Sequence, residues 1–372
     1  MQTNWKLIGL LFLAGLFAAA QFAKIALTLF DLEGIYPGNP VPYAVSALSV
    51  AGILFGVTAG MIVAQFGARR VLLTALAVAS LLSLAQGSLP AFPAFMGLRL
   101  LEGFSHLAIV VAAPTLMAAV SAPRDVPVAM GLWGTFFGVG FAGAAAVIPL
   151  LQGPGQVYVA HAAFGAVLIA ALWPLLPRVV ARGVWQGNLW ARHMAIYSSP
   201  RLVAPALGFL WHTIMFLGIL TFLPMFLGAW TGPVLPFLAL VGTFGAGWMA
   251  RSVAPRLILV TGFVLTVFGF ALAMTFDGEA RVWVVLVLLV VIGLVPGASF
   301  ANVPALNAEP ADQARANGAI AQLGNIGTAA SVPLFAIAIG YGFNGLAVAG
   351  MVISTIGAGL VLIIHRKIPN SA

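Results

Sequence analysis

Residues 69–74 read Arg-Arg-Val-Leu-Leu-Thr, and residues 256–261 read Arg-Leu-Ile-Leu-Val-Thr, 187 positions further on. The same offset pairs Gly60 with Gly247, Pro123 with Pro310 and Asp125 with Asp312. It also pairs Ala129 with Ala316, Gly131 with Gly318 and Gly140 with Gly327. Apolar helices match one another readily, but Pro, Asp, Arg and Gly are not the residues that apolar bias supplies. A register shared across two separate loops marks an internal duplication. Around these loops the chain is almost continuously apolar. Of its 372 residues, 62% are hydrophobic and 6% charged, against about 25% charged in a soluble domain. So few charges cannot coat a surface in water, so lipid must be the solvent for most of it. A helix needs roughly 20 apolar residues to cross about 30 Å of hydrocarbon.

Twelve spans are expected, near 7–29, 43–65, 71–88, 93–119, 126–150, 156–176, 203–228, 233–250, 257–276, 282–305, 315–339 and 344–364. Lys and Arg mark cytoplasmic loops. Lys6, Arg69, Arg70, Arg124, Arg178, Arg182, Arg192, Arg201, Arg251, Arg256, Arg315, Arg366 and Lys367 fall at every second break. The opposite breaks hold only Arg281, beside Asp31, Glu33, Asp277 and Glu279. Both termini are therefore expected in the cytoplasm of a bacterium, with the chain multi-pass in its inner membrane. The net charge of +8 is a topology signal and not a nucleic-acid footprint. Lys6 with the apolar run to Ala20 has the look of a signal peptide, but the repeat requires this helix to stay.

The longest break, 177–202, is basic and carries Trp185, Trp190 and His193. It reads as a cytoplasmic linker with a surface-lying segment. The expected fold is all-α: a six-helix bundle at 1–176, the linker, and a second six-helix bundle at 203–372. Six spans per half give parallel repeats and a pseudo-two-fold axis along the membrane normal.

Gly60 to Arg70 reads G-M-I-V-A-Q-F-G-A-R-R. This resembles the signature loop of the major facilitator superfamily, roughly G-x-L-a-D-R-x-G-R-R. Gly60, Gly67, Arg69 and Arg70 fit; Ala64 replaces the usual Asp and Gln65 the usual basic residue. Arg99 to His106, R-L-L-E-G-F-S-H, resembles the family's R-x-x-x-G element in the fourth span, which is associated with proton and substrate coupling. Gly134 to Gly140 weakly resembles the antiporter element, but Val139 stands where that element has proline, and antiport is not inferred. The resemblance implies a secondary transporter working by alternating access around a cavity lined by the first, fourth, seventh and tenth helices. It also implies protons as a driver. Gly60, Gly67, Arg69, Arg70 and the repeat-related Arg256 would form the conformational-switch loops.

Within spans, a charge costs about 2.5–3.5 kcal/mol at the centre and usually faces a cavity or partner. Arg99, Glu102 and His106 share one helical face, as do Gln21, Lys24 and Thr28. Lys24, Arg99, Gln21, His212, Trp211 and Asn302 are the candidate substrate contacts, and Glu102 and His106 the candidate proton-coupling groups. His161, near the outer end of the sixth span, reads as a packing residue. Val295-Pro296-Gly297 is expected to break the tenth helix. Gly138, Gly140 and Gly143 spell G-x-G-x-x-G, but inside a span this reads as helix packing and not as a dinucleotide loop.

No P-loop occurs, so ATP is not expected as the energy source, and with no cysteine there is no thiol chemistry or Cys-held metal. Neither metal nor cofactor is expected, nor enzymatic activity; the chain is expected to act as a monomer in a lipid bilayer. Two cations against one carboxylate suit a small anionic or zwitterionic solute. The alternatives are efflux of neutral drugs, or uptake of an aromatic vitamin-like solute such as a flavin. The topology is tested with single cysteines. One at Gly38 should react with an impermeant thiol reagent in intact cells and one at Gln186 should not; the reverse labelling overturns the orientation.

Overall fold

The computed structural model describes residues 2–177, 188–228 and 230–368; Arg178, Arg182, Trp185 and Gln186 of the linker lie outside them. In chain order the helices are α1 (Trp5–Ala26), α2 (Leu29–Ile35), α3 (Tyr43–Phe66), α4 (Ala68–Gly87), α5 (Phe92–Ala119), α6 (Val126–Gly134), α7 (Phe136–Val147) and α8 (Gly153–Leu175). They continue with α9 (Leu189–Ser198), α10 (Pro200–Phe222), α11 (Pro224–Leu227), α12 (Thr231–Met249), α13 (Pro255–Met274), α14 (Gly278–Leu306), α15 (Pro310–Ala338) and α16 (Gly342–Arg366). No strand occurs among the described residues.

Among the described residues, ten stretches are long and apolar enough to cross a membrane. One of them, Pro310–Arg366, has 57 residues, too many for a single crossing at 1.5 Å per residue. It is α15 and α16, parted by a short 3₁₀ turn and by Gly342 at φ +68°. The broken pair α6–α7 supplies another span. Ten, one more from the split and one more from the pair give the twelve expected spans.

Local chemistry sets the helix ends. Asn4 caps α1 by accepting from Leu7 N at 3.0 Å, satisfying one of the free amides of the first turn. Gly67, at φ +85°, ends α3 and starts α4, a conformation that costs a residue with Cβ. Arg69 then donates to Trp173 O at 2.8 Å and lies over its indole at 5.6 Å, holding the end of α8. α14 departs from expectation, because it runs through Pro296 without a break. Its packing explains this. A Cβ at Gly293 or Gly297 would fall about 2 Å from Ala239 O or Thr243 O of α12, so the two backbones touch. Thr243 Oγ1, 3.0 Å from Gly293 O, donates into the stretch that proline weakens.

The helices form two compact units. The first holds residues 1–122, 136–187 and 310–321; the second holds 123–135, 188–309 and 322–372. Against bundles at 1–176 and 203–372, two segments change places: α6 and the first turns of α15. The repeat offset carries 123–135 onto 310–322, within one residue of the second segment, so the exchanged segments are equivalents. Glycine is the reason. In the second unit a Cβ on Gly131 would lie 2.6 Å from Gly247 Cα. In the first, a Cβ on Gly318 would lie 2.9 Å from Gly60 Cα. The duplication maps Gly60 onto Gly247 and Gly131 onto Gly318, so each contact is the image of the other. Small residues allow such approach where no hydrophobic force draws helices together in lipid.

In the first unit α3 and α4 pack on α5, α8 packs on α4, and α1 lies against α5, α7 and α8. Gly103 lets α5 close on α3, since a Cβ there would meet Leu48 O at 2.7 Å. Gly140, from the G-x-G-x-x-G stretch, meets Leu16 and Ala19 of α1, which is the packing role expected of it. In the second unit α12 and α13 pack on α14, and α16 on α10 and α13, around a core that includes Leu286, Leu289, Phe270 and Ala273. The linker helix α9 belongs to this unit. Asn188 caps it, Ile196 is buried, Trp190 stacks on His193, and His193 meets Tyr197 at a tilt. Tyr197 donates to Gln322 Oε1 at 2.8 Å; burial pushes its hydroxyl up to about 12.

Filling the glycine contacts should destabilise the fold. Gly131→Val and Gly318→Val should each cost about 1–3 kcal/mol as overpacking and lower the unfolding temperature of the purified protein. Gly97→Ala, where nothing lies within 4 Å of the new Cβ, should not lower it. Equal melting of all three would remove the packing account.

Candidate functional site

Four helices of the first unit converge on one carboxylate. Helix α5 places Arg99 and Glu102 three residues apart, and Arg99 Nη1 bonds Glu102 Oε2. Helix α1 sends Lys24 Nζ to Glu102 Oε1 at 2.7 Å. Helix α4 adds Gln86 Nε2, donating to Glu102 Oε2 at 2.8 Å, and Ser83 Oγ, which accepts from Lys24 Nζ at 2.8 Å. Helix α8 adds His161, whose Nδ1 lies 3.1 Å from Ser83 Oγ, and Tyr158, whose ring lies 5.0 Å from Lys24 Nζ. Lys24, Arg99 and Glu102 are at most 1% exposed. Lys24 therefore turns inward and does not reach for the interface.

The rest of the two predicted faces meets beside this cluster. Gln21 Oε1 and Ala18 O both lie 3.1 Å from His106 Nδ1, and both are acceptors, so Nδ1 carries the hydrogen. Gln21 Nε2 reaches Ser105 Oγ at 3.5 Å, and Ser105 Oγ donates to Glu102 O, a backbone atom. Phe22 meets the His106 ring edge-on. Ile25, Leu32, Tyr36, Val41, Phe95 and Tyr158 form an apolar cluster at the α2 end of the network. Tyr36 donates to Pro90 O at 2.8 Å, and burial pushes its hydroxyl above its ordinary value.

Two cations share one carboxylate, so the cluster carries about one uncompensated positive charge. Arg99 meets it only in part: Nε donates to Ala44 O at 3.1 Å, while Nη2 is buried without a partner. The repeat-related positions of the second half show what the fold itself requires here. Arg99, Glu102, Ser83 and Gln86 map onto Leu286, Leu289, Phe270 and Ala273, all part of an apolar core. The same location in the same architecture is filled once by charge and once by hydrocarbon.

The remaining candidates lie in the second unit. His212 on α10 stacks on Phe216, with ring centroids 4.8 Å apart, and its buried Nδ1 has no partner. Trp211 lines an apolar groove of about 660 Å³ bounded by α10, α15 and α16. Asn302 Nδ2 donates to His365 Nε2 at 3.1 Å, and His365 Nδ1 donates to Val361 O at 2.8 Å. The structure thus brings together Gln21, Lys24, Arg99, Glu102 and His106, and gives Trp211, His212 and Asn302 three separate surroundings. It adds Ser83, Gln86, Tyr158 and His161. Each of these is one of an i, i+3 pair of polar residues in a largely apolar span, the one sequence signal that could have found them. No metal-holding group of His, Cys, Asp and Glu occurs among the described residues.

No family model matches the sequence, and no curated protein matches it. Solved structures do. A proton:xylose symporter, XylE, aligns over 98% of this chain and 96% of its own at 15% identity and TM-score 0.75. The fucose:proton symporter FucP of E. coli aligns over the whole of both chains at 13% identity and TM-score 0.74. The human organic anion transporter MFSD10 aligns over 99% of this chain and all of its own at 17% identity and TM-score 0.70. With twelve spans, a repeat of six and these whole-length superpositions, the chain has the fold of the major facilitator superfamily of transporters.

Proposed function

We propose that the chain is a secondary transporter that moves a small anionic or zwitterionic organic solute across a bacterial inner membrane, coupled to protons. One observation carries this reading: Arg99, Glu102 and Lys24 stand buried in the first half where the second half has Leu286, Leu289 and Trp211. Replacing a buried ion pair by well-packed apolar residues is often neutral or stabilising, by about 1–4 kcal/mol. The second half is such a replacement. Stability therefore gives no reason to keep the charges, and function does.

The net positive charge and the unpartnered Arg99 Nη2 favour an anion. Glu102 is the proton-exchanging carboxylate, and His106, held by Gln21, a second titratable group. Trp211, His212 and Asn302 are the candidate contacts from the second half. Alternating access would turn on the two halves, 1–176 and 203–372, with both termini and the 177–202 linker in the cytoplasm. Symport agrees with XylE and FucP being proton symporters, and an anionic solute with MFSD10 being an organic anion transporter. Lys24 on the first helix disfavours cationic drugs. The chain acts as a monomer.

A thermal-shift screen of the purified protein against organic anions, zwitterions, cations and neutral drugs tests the solute class. The largest stabilisation should come from an anion, and Arg99→Lys should weaken it by about 1–3 kcal/mol, as expected for loss of a charge-assisted contact. In proteoliposomes, Glu102→Gln should keep exchange of that anion but lose accumulation driven by a pH gradient. Stabilisation by cations alone, or wild-type accumulation in Glu102→Gln, would overturn the proposal.

A further inference from the structure

His161 takes no part in the proposed recognition of solute or exchange of the proton. Its Nε2 lies 3.1 Å from Phe17 O. A carbonyl only accepts, so Nε2 carries a hydrogen in either charge state of the ring. The state is therefore decided at Nδ1, which faces Ser83 Oγ at 3.1 Å. Ser83 has one proton and two acceptor sites. It stands among Lys24 Nζ at 2.8 Å, Tyr158 O at 3.0 Å and His161 Nδ1.

Both charge states of His161 have complete hydrogen bonding here without movement of any heavy atom. With a neutral ring, Ser83 accepts from Lys24 and donates to Nδ1. With a charged ring, Ser83 accepts from both Lys24 and Nδ1 and turns its own proton to Tyr158 O. A site built for one state would leave a donor or acceptor unmet in the other, at about 1–3 kcal/mol. The ring of Phe17 lies flat on His161, with centroids 4.0 Å apart and planes at 17°, a face that attracts a cationic ring.

We propose that Ser83 and His161 form a charge-relay branch of the Glu102 site, a step that rests on Glu102 exchanging a proton as proposed above. When Glu102 is protonated, Lys24 and Arg99 lose their shared counter-ion and repel each other in a medium of low dielectric. The relay relieves this. An N–H bond of Lys24 breaks as an O–H bond forms on Ser83 Oγ. The original O–H bond of Ser83 breaks as an N–H bond forms on His161 Nδ1. Lys24 becomes neutral, His161 positive and Ser83 unchanged, so the net charge stays constant. The positive charge has moved one hydrogen-bonded residue further from Arg99. His161 is thus a positioning group for the proton on Glu102.

The charged and titratable groups around His161 are few. Helix α1 offers Lys24, α5 offers Arg99 and Glu102, and α8 itself offers Tyr158. Helix α4 contributes only the neutral Ser83 and Gln86, and Asp31 and Glu33 of α2 are exposed. His106 has no such path, because its connection through Gln21 and Ser105 ends on the backbone oxygen of Glu102.

The test is a pH titration of the protonated-carboxyl infrared band of the full chain in lipid bilayers, with no solute added. The Glu102 band is the one that Glu102→Gln removes. His161→Gln and Ser83→Ala should each make Glu102 about tenfold harder to protonate, moving its midpoint about one pH unit toward acid. Ser83→Thr, which keeps the hydroxyl, should restore it. If His161→Gln does not fold, the Ala and Thr variants at Ser83 read the same relay. A midpoint unmoved by loss of the hydroxyl or the imidazole overturns the relay and leaves Glu102 as the coupling group. A Glu102 band that never titrates overturns the relay together with the coupling role. A midpoint that moves in a protein that transports no solute sustains the relay and removes the transport reading alone.

Discussion

A single carboxylate, Glu102, holds two buried cations in a space that water does not reach, and the interior of the first unit is arranged around that imbalance. Lys24 comes from α1, Arg99 from the same helix as Glu102, Gln86 from α4. Ser83 and His161 extend the network to α8. An isolated charge in such a medium costs several kcal/mol, and removing one member of a buried pair strands the other at about 3–5 kcal/mol. These helices are therefore tied to one another by groups that cannot be separated cheaply. Their packing partners, α1 with α5 and α8, α4 with α5 and α8, are the helices that supply the charges and their acceptors.

The internal duplication turns this into a controlled comparison. At the equivalent depth the second half packs Leu286, Leu289, Phe270 and Ala273 with other buried apolar side chains. Two solutions to the same packing problem stand in one chain, and the apolar one is enough for the fold. The expensive one is kept in the half where proton and charge chemistry is proposed. An excess of one positive charge is also a poor resting arrangement for a purely structural network, because a second carboxylate would neutralise it.

A second constraint is backbone contact through glycine. Gly60 with Gly318 and Gly131 with Gly247 are images of each other under the repeat. They join the start of α15 to one compact unit and α6 to the other. Both the residues and the contacts obey the repeat, and glycine lets the helices meet closely without interlocking side chains.

The sequence by itself determined the number of spans, the repeat, the turn at Gly67 and the two polar faces on the first and fourth helices. These follow from lipid as solvent and from helical periodicity, both local in the chain: twenty apolar residues, a break, and charges at i, i+3 and i+7. Tertiary structure alone decided which groups share Glu102. Ser83, Gln86 and His161 are polar residues in largely apolar spans, and their own neighbourhoods do not say that α4 and α8 bring them into one network with Lys24 and Glu102. It decided that Lys24 turns inward, because its partner lies 78 residues away. It also decided that Asn302 bonds His365 and that α14 runs straight through Pro296, because α12 lies against its backbone there. Periodicity fixes which face a residue occupies; only the packed neighbour fixes what that face meets.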